Sequence, residues 1–410
     1  MEVRAERGME IAATTVLTKT DKGYLVPSST GKGLYLVSMS GTKPKCSCPD
    51  YLERKEPCKH VFAVEFTVKR EQKADGTVTE TKSVKVTYGQ DWHHYNAAQI
   101  NEHDHFVALL KRLCAGVPQP EQHMGRKRIP LADALFGATY KVYSTVSGRR
   151  FMSDARAAQS NGFMSVAPSF ATTARTLENP ALTPILKALI EQSAAPLAGV
   201  EFDFAADSTG FSTNTYGRWY DAKYGKEKTK QIWIKTHLMC GVKTNIVTAV
   251  EAIPHESSDA LQLPYLLERT AKTFTVAEVS ADKGYSSRAN AHAIVNMGAA
   301  AYIPFQRHST GLGTHTVRFD PLWNRLHAFY QFNRAEFLAH YGKRSNVEST
   351  MWMLKSKFGG SVRSKLPTSQ VNEVLCKVLA HNIVVLIHSM YELGIFPTFE
   401  TEMASVAGVN

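Results

Sequence analysis

The chain has 410 residues, 43 % of them hydrophobic, so one small domain is too little to expect and a buried core is affordable; two or three domains are expected. Lys and Arg outnumber Asp and Glu by 48 to 37, for a net charge of +11, which points to a polyanionic partner. Three of the six cysteines crowd between 46 and 58, which argues against a scattered disulfide framework and for a metal site in a reducing compartment. The stretch from Met1 to Glu6 carries no apolar signal segment.

Tyr24-Leu25-Val26 and Leu34-Tyr35-Leu36-Val37 flank a Ser/Gly-rich stretch and predict a hairpin. A short helix is expected over Val61 to Lys69. Thr77-Val78-Thr79 and Val84-Lys85-Val86-Thr87 then predict two strands across a turn near Asp75-Gly76. Residues 1–90 thus form a small αβ module. From Asn96, the apolar residues Ile100, Phe106, Leu109, Leu110 and Leu113 fall near helical spacing, until Gly116-Val117-Pro118-Gln119-Pro120 breaks it. A basic linker, Gly125-Arg126-Lys127-Arg128-Ile129-Pro130, leads to a helix from Leu131 to Val146, with more helix between Pro184 and Ser193. The helical region spans 96–195.

At Gly199 the pattern turns to β. Val200, Phe202 and Phe204 alternate up to Asp207, predicting a strand that ends at this acid. Ile232 to Leu238 and Asn245 to Val250 are two more strands, Asp259 to Thr270 a helix, and Phe274 to Val279 a strand just before Asp282. Helix follows over Ala289 to Met297, strand over Ala300 to Phe305, and mostly helix from Asp320. The apolar run from Val378 to Phe396 is interrupted by His381, Asn382, His388 and Glu392, so a packed helix is expected there and no membrane span. Residues 371–410 supply a terminal helix and tail.

Cys46-Ser47-Cys48, nine further residues, and Cys58-Lys59-His60 offer four zinc donors. Because all four positions come from protein, such a site is structural. The spacing resembles the SWIM zinc finger. His93, His94, His103 and His105 form a second cluster with no ligand spacing; they are expected to be solvated or packed. Arg126, Lys127 and Arg128 are candidates for a minor-groove arm, with a solvated linker as the equal alternative.

Asp207 opens Asp207-Ser208-Thr209-Gly210, and Asp282 lies in Ala281-Asp282-Lys283-Gly284-Tyr285. Glu348 falls in a helical pattern with Arg344 four residues before it and Lys355 seven after. Carboxylates at strand ends and on one helix suit Mg²⁺, which takes hard oxygen ligands and keeps several waters. Two such ions can activate a nucleophile and stabilise the leaving oxygen in phosphodiester cleavage. Flanking cations suit DNA phosphates. Taken singly, each acid reads as a turn, a cap or an ion-pair face.

Tyr341, Arg344, Glu348 and Lys355 match Y-x-x-R-x-x-x-E-x-x-x-x-x-x-K, and with Asp207 and Asp282 the chain resembles a large group of bacterial insertion-sequence transposases over residues 196–370. The resemblance implies an α/β chain whose catalytic domain is RNase H-like, preceded by the zinc module and a helical DNA-binding region. It implies catalytic Asp207, Asp282 and Glu348 holding two Mg²⁺ ions, cleavage at terminal inverted repeats, strand transfer into target DNA, and Tyr341, Arg344 and Lys355 at the DNA. It further implies a homodimer on double-stranded DNA and a cytoplasmic, nucleoid-associated bacterial protein. Asp203 is the rival first acid. Trp323 is a candidate base-stacking residue, with core packing as its alternative reading. For the dimer, Val384, Val385, Leu386 and Ile387 are a candidate surface, against packing in their own domain. An RNase H-like nuclease that cuts without joining, or a non-catalytic DNA-binding descendant of a transposase, are the other readings.

Overall fold

The computed structural model describes residues 4, 7, 8, 11, 12, 15, 17–28, 33–39, 44–72, 78–82, 91–125, 127–213, 233–254, 257–307, 309 and 320–399. The chain divides into two compact units, Met1–Asp91 and Trp92–Asn410.

In the first unit, strands β1 (Thr18–Thr20), β2 (Gly23–Pro27), β3 (Leu34–Ser38) and β4 (Lys45–Cys46) form an antiparallel sheet in chain order. Alternation works as expected along β2, where Tyr24 and Val26 turn inward against Val37. Gly23 has φ +145°, and a Cβ there would come within 2.2 Å of the Val37 carbonyl oxygen, so only glycine fits between the strands. Helices α1 (Pro49–Arg54) and α2 (Lys59–Thr67) follow, then the hairpin of β5 (Val68–Gln72) and β6 (Val78–Lys82). This hairpin starts earlier than the sequence predicts, and Val84 to Thr87 lie outside the described residues. The helix stops at Thr67 because Val68-Lys69-Arg70-Glu71-Gln72 has no apolar 3.6-residue period to bury.

The second unit begins with α3 (Trp92–Ile100), α4 (Glu102–Ala115), α5 (Leu131–Tyr143), α6 (Phe151–Ser160), α7 (Phe170–Glu178) and α8 (Leu182–Ala194). Sequence periodicity does not reveal α6 and α7. They are short, of ten and nine residues, and α7 buries only Thr173 and Leu177. The sheet comprises β7 (Asp203–Ser212), β8 (Trp233–Gly241), β9 (Val247–Ile253), β10 (Glu278–Ala281) and β11 (Ala300–Tyr302) in the order β11-β10-β7-β8-β9. The first three strands are antiparallel, and β10 and β11 run parallel to β7. This is the RNase H-like arrangement. Helices α9 (Asp259–Ala271) and α10 (Arg288–Asn296) alternate with the strands; α11 (Pro321–Phe332), α12 (Arg334–Tyr341), α13 (Ser345–Phe358) and α14 (Pro367–Glu392) follow.

The helices before the sheet and α14 share one core with it. Although α14 is the one described helix long and apolar enough to cross a membrane, 83 % of its most apolar window is buried inside this unit. Val384, Val385, Leu386 and Ile387 are at most 6 % exposed, so the candidate dimer surface is core instead. The polar residues of α14 fall about a turn apart, and each holds a neighbouring segment. Asn372 donates to the carbonyls of Leu177 and Asn179. The Glu373 carboxylate accepts the backbone N–H groups of Arg363 and Ser364, and Lys377 donates to the carbonyls of Gly359 and Ser361. Asn382 pairs with both backbone groups of Val247, on the edge strand β9, at 2.9 and 2.7 Å. Asn382→Leu is expected to cost roughly 2–5 kcal/mol, since it strands buried groups at about 1–3 kcal/mol each. A lower urea midpoint at unchanged slope would register it; an unchanged midpoint would contradict it.

Candidate active site and metal-binding cluster

β7 does not stop at Asp207 as the sequence suggests: it runs on to Ser212, because β8 offers partners as far as Trp233. Asp207 therefore sits in mid-strand on a rigid support. On the parallel neighbour, Ala206 pairs with Ala281, so Asp282 follows at the level of Asp207. Asp282 caps a one-turn 3-10 helix, Lys283–Tyr285. Glu348 lies in the first turn of α13, which packs against β7 and β8.

Arg344 joins these parts. From the turn just before α13 its guanidinium donates to the Asp207 carboxylate at 2.9 Å and to the Glu348 carboxylate. Asp207 also accepts the Ser208 N–H at 2.8 Å. Burial pushes the Asp207 carboxyl up, against the Ser208 N–H and Arg344, and the charges of Asp282 and Glu348 add to the rise. The three acids are not gathered as tightly as metal ligands in this structure: among the described residues, only Cys46, Cys48, Cys58 and His60 are. Glu348 remains 58 % exposed, leaving the site open to solvent.

Asp203 has other partners. Lys343 Nζ lies 2.7 Å from both Asp203 and Glu278, two acids opposed across β7 and β10. Tyr341 ends α12, stacked on Phe337, and burial pushes its hydroxyl up; Asp282, Asp207 and Glu348 bear on it as well. Lys355 Nζ lies 5.6 Å from the centre of the Phe211 ring, and burial holds its pKa down. Lys127 and Arg128 are exposed, and Arg126 lies outside the described residues. Trp323 is core: it is 8 % exposed, with Phe305 edge-on at 4.6 Å. His103 and His105 bond the hydroxyls of Tyr140 and Tyr391, while His93 and His94 are exposed.

Sequence reading missed a polar cluster on the opposite face of the sheet. Successive strand residues point to opposite faces, so Ser208 turns away from Arg344 and toward Asp259, at 3.4 Å. Lys235 pairs with Asp259 at 2.6 Å. His237, paired with Ser208 across β7 and β8, meets the Tyr285 hydroxyl at 3.1 Å. The signal was present as Lys235 and His237 two apart on one strand, but partners from α9 and the 282–285 turn are distant in sequence. Burial lowers the pKa of His237 to about 4, as it does for His381 in α14.

Those two histidines set a pH dependence. In the unfolded chain they titrate near 6.5, so between pH 6.5 and 4 the unfolded state binds more protons and stability falls as pH falls. The loss is on the order of 3 kcal/mol for each. Urea midpoints should drop over this window, and less so in His381→Gln; a flat profile from pH 7 to 4 would contradict this.

The cysteine cluster is better gathered. Cys46, Cys48, Cys58 and His60 are buried, with no disulfide among them. Cys48 and Cys58 sulfurs are 3.4 Å apart, and His60 Nδ1 lies 3.9 and 3.8 Å from those of Cys46 and Cys58. Zinc–sulfur bonds of about 2.3 Å at the tetrahedral angle place sulfurs about 3.8 Å apart. The donor set fits zinc. The Cys46 hydrogen bond holds the Cys58 thiol well below its usual range, which favours the thiolate a metal needs.

Residues 203–383 match the family model of the transposase DDE domain. This match runs from the first strand of the sheet into α14. Residues 35–69 match the SWIM zinc finger, and all four zinc donors lie inside that match. The DDE domain match contains Asp207, Asp282, Glu348 and the Arg344 that bridges two of them.

Proposed function

We propose that the protein is a transposase that cleaves DNA at the terminal inverted repeats of an insertion sequence and joins the ends to target DNA, with Asp207, Asp282 and Glu348 as its catalytic acids. The observation that carries this reading is the adjacency of Asp207 and Asp282 on parallel strands, with Arg344 tying Glu348 to the first. The donors fit Mg²⁺: they are hard carboxylates in an open site with room for its waters. When bound, a pair of such ions would supply activation of the attacking hydroxyl and charge neutralisation at the leaving oxygen. The protein's own part is to hold the acids on a rigid sheet and to bring cations to the strand. Arg344 occupies the carboxylates in this structure, so it must turn outward for them to ligate, which would present it to DNA phosphate.

The test is a plasmid bearing the coding region and its flanks, incubated with protein and Mg²⁺. Excised ends joined to a second plasmid support transposition; cutting without joining would leave an RNase H-like nuclease. Action on two ends implies at least a dimer on DNA, with an interface elsewhere than α14. Mixing active protein with Asp282→Asn should inhibit double-end cleavage more than dilution does, whereas strictly linear loss would argue for a monomer.

Lys355 and Arg344 are assigned to phosphates near the cut. Lys355→Gln is expected to lower the log–log salt slope of binding to cleavage-site DNA by roughly 0.9. An unchanged slope with unchanged cleavage would return Lys355 to a packing role against Phe211.

A further inference from the structure

The acids Asp207 and Asp282 come from different strands, and the ladder between β7 and β10 ends at Ala206 and Ala281. Beyond that point the separation of the two carboxylates must be fixed by something else. Behind the sheet, the residue following Asp207 and the turn following Asp282 meet the same group. Ser208 Oγ reaches Asp259 Oδ1 at 3.4 Å. Gly284 lies against the other oxygen of that carboxylate, so closely that a Cβ there would come within 3.0 Å of it. Asp259 is itself fixed by Lys235 at 2.6 Å, and Lys235 is fixed by the Ser257 carbonyl at 2.8 Å. Tyr285, fully buried, ends the turn. Its hydroxyl meets His237 Nδ1 at 3.1 Å, and its carbonyl accepts from the Asn290 side chain at 2.7 Å. His237 is also fully buried, and its Nε2 has no hydrogen-bond partner among the described residues. A tyrosine and a histidine sealed in this way cost solvation, and the bond between them offsets part of that cost while helping to hold the turn down.

We infer that Asp259, His237 and Tyr285 are positioning residues that set the separation of Asp207 and Asp282, and so the affinity of the acid pair for divalent cation. The inference rests on the assignment of those acids as metal ligands. Outer-shell partners of metal ligands typically govern affinity or activity by 10- to 100-fold.

The experiment measures Mn²⁺ binding to the full-length, zinc-loaded protein by the loss of free-ion EPR signal, alongside duplex affinity and cleavage. Tyr285→Phe and Asp259→Asn are expected to weaken Mn²⁺ binding by 10- to 100-fold, with duplex affinity within about twofold of the parent protein. Tyr285→Phe combined with His237→Phe should weaken it by less than the product of the two single effects, because the two residues share one bond. Asn382→Leu, which destabilises the fold from α14, should leave Mn²⁺ affinity unchanged and so separates positioning from general loss of stability. Parent-like Mn²⁺ affinity in both Tyr285→Phe and Asp259→Asn overturns the inference. If Asp282→Asn also binds Mn²⁺ like the parent protein, the assignment of the acids themselves falls; if Asp282→Asn loses binding and the others do not, only the positioning role falls.

Discussion

Removing zinc is expected to unfold residues 1–91 and to leave 92–410 folded. Among its described residues the first unit buries few large side chains, and three of the buried ones are the cysteines themselves. A module of this size draws much of its stability from outside a hydrophobic core. Structural zinc supplies on the order of 10–16 kcal/mol in small modules at neutral pH, comparable to the whole stability of a typical domain. Four donors lie within 4.8 Å of one another, all buried, and a bound cation would offset the cost of desolvating their thiolates. Chelation, or Cys58→Ser, should therefore make this unit protease-sensitive, while a protected fragment retains the DDE domain. Metal analysis showing no zinc in protein purified without chelator would overturn the expectation.

Asp207→Asn, Asp282→Asn and Glu348→Gln are each expected to abolish cleavage while leaving DNA binding in place. A misplaced metal ion forfeits several kcal/mol of charge stabilisation, which is on the order of 10³-fold in rate. The fold should tolerate each change, because none of the three supports the core. Asp207→Asn carries an additional expectation. It releases Arg344 from one of its two carboxylates, so that variant should bind duplex at least as tightly as the parent protein. Near-normal Mg²⁺-dependent cleavage by any one variant would remove that residue from the site, and lost binding in all three would recast the acids as structural.

Much of this architecture is legible in the residues because local patterns and long-range partners agree. Cys46, Cys48, Cys58 and His60 fall in a window of fifteen positions, so spacing alone brings them together. Val200, Phe202 and Phe204 announce the first strand, but not its length. Its extension to Ser212 depends on pairing with β8, which no local pattern contains. The same limit hid the role of Arg344. Four-residue spacing puts it beside Glu348, whereas its bond to Asp207 spans 137 positions. The Lys235, His237, Asp259 and Tyr285 cluster draws on a strand, a helix and a turn that lie far apart in sequence. Helices α6 and α7 escaped for a simpler reason: their buried faces are too narrow to stand out from a polar, Ala-rich background.

The polar rungs of α14 have a consequence for when the fold is completed. Asn372, Glu373, Lys377, His381 and Asn382 bind segments made earlier in the chain, from Leu177 to Arg363. The β9 edge, the loop before α14 and the helices ahead of the sheet all lack these bonds until α14 has left the ribosome. At about 5–20 residues per second, roughly 10–40 s separate the synthesis of Asp207 from that of Glu392. Throughout that interval the sheet that carries Asp207 lacks the helix whose Asn382 pairs with its β9 edge, so the core of the second unit is completed only near the end of synthesis.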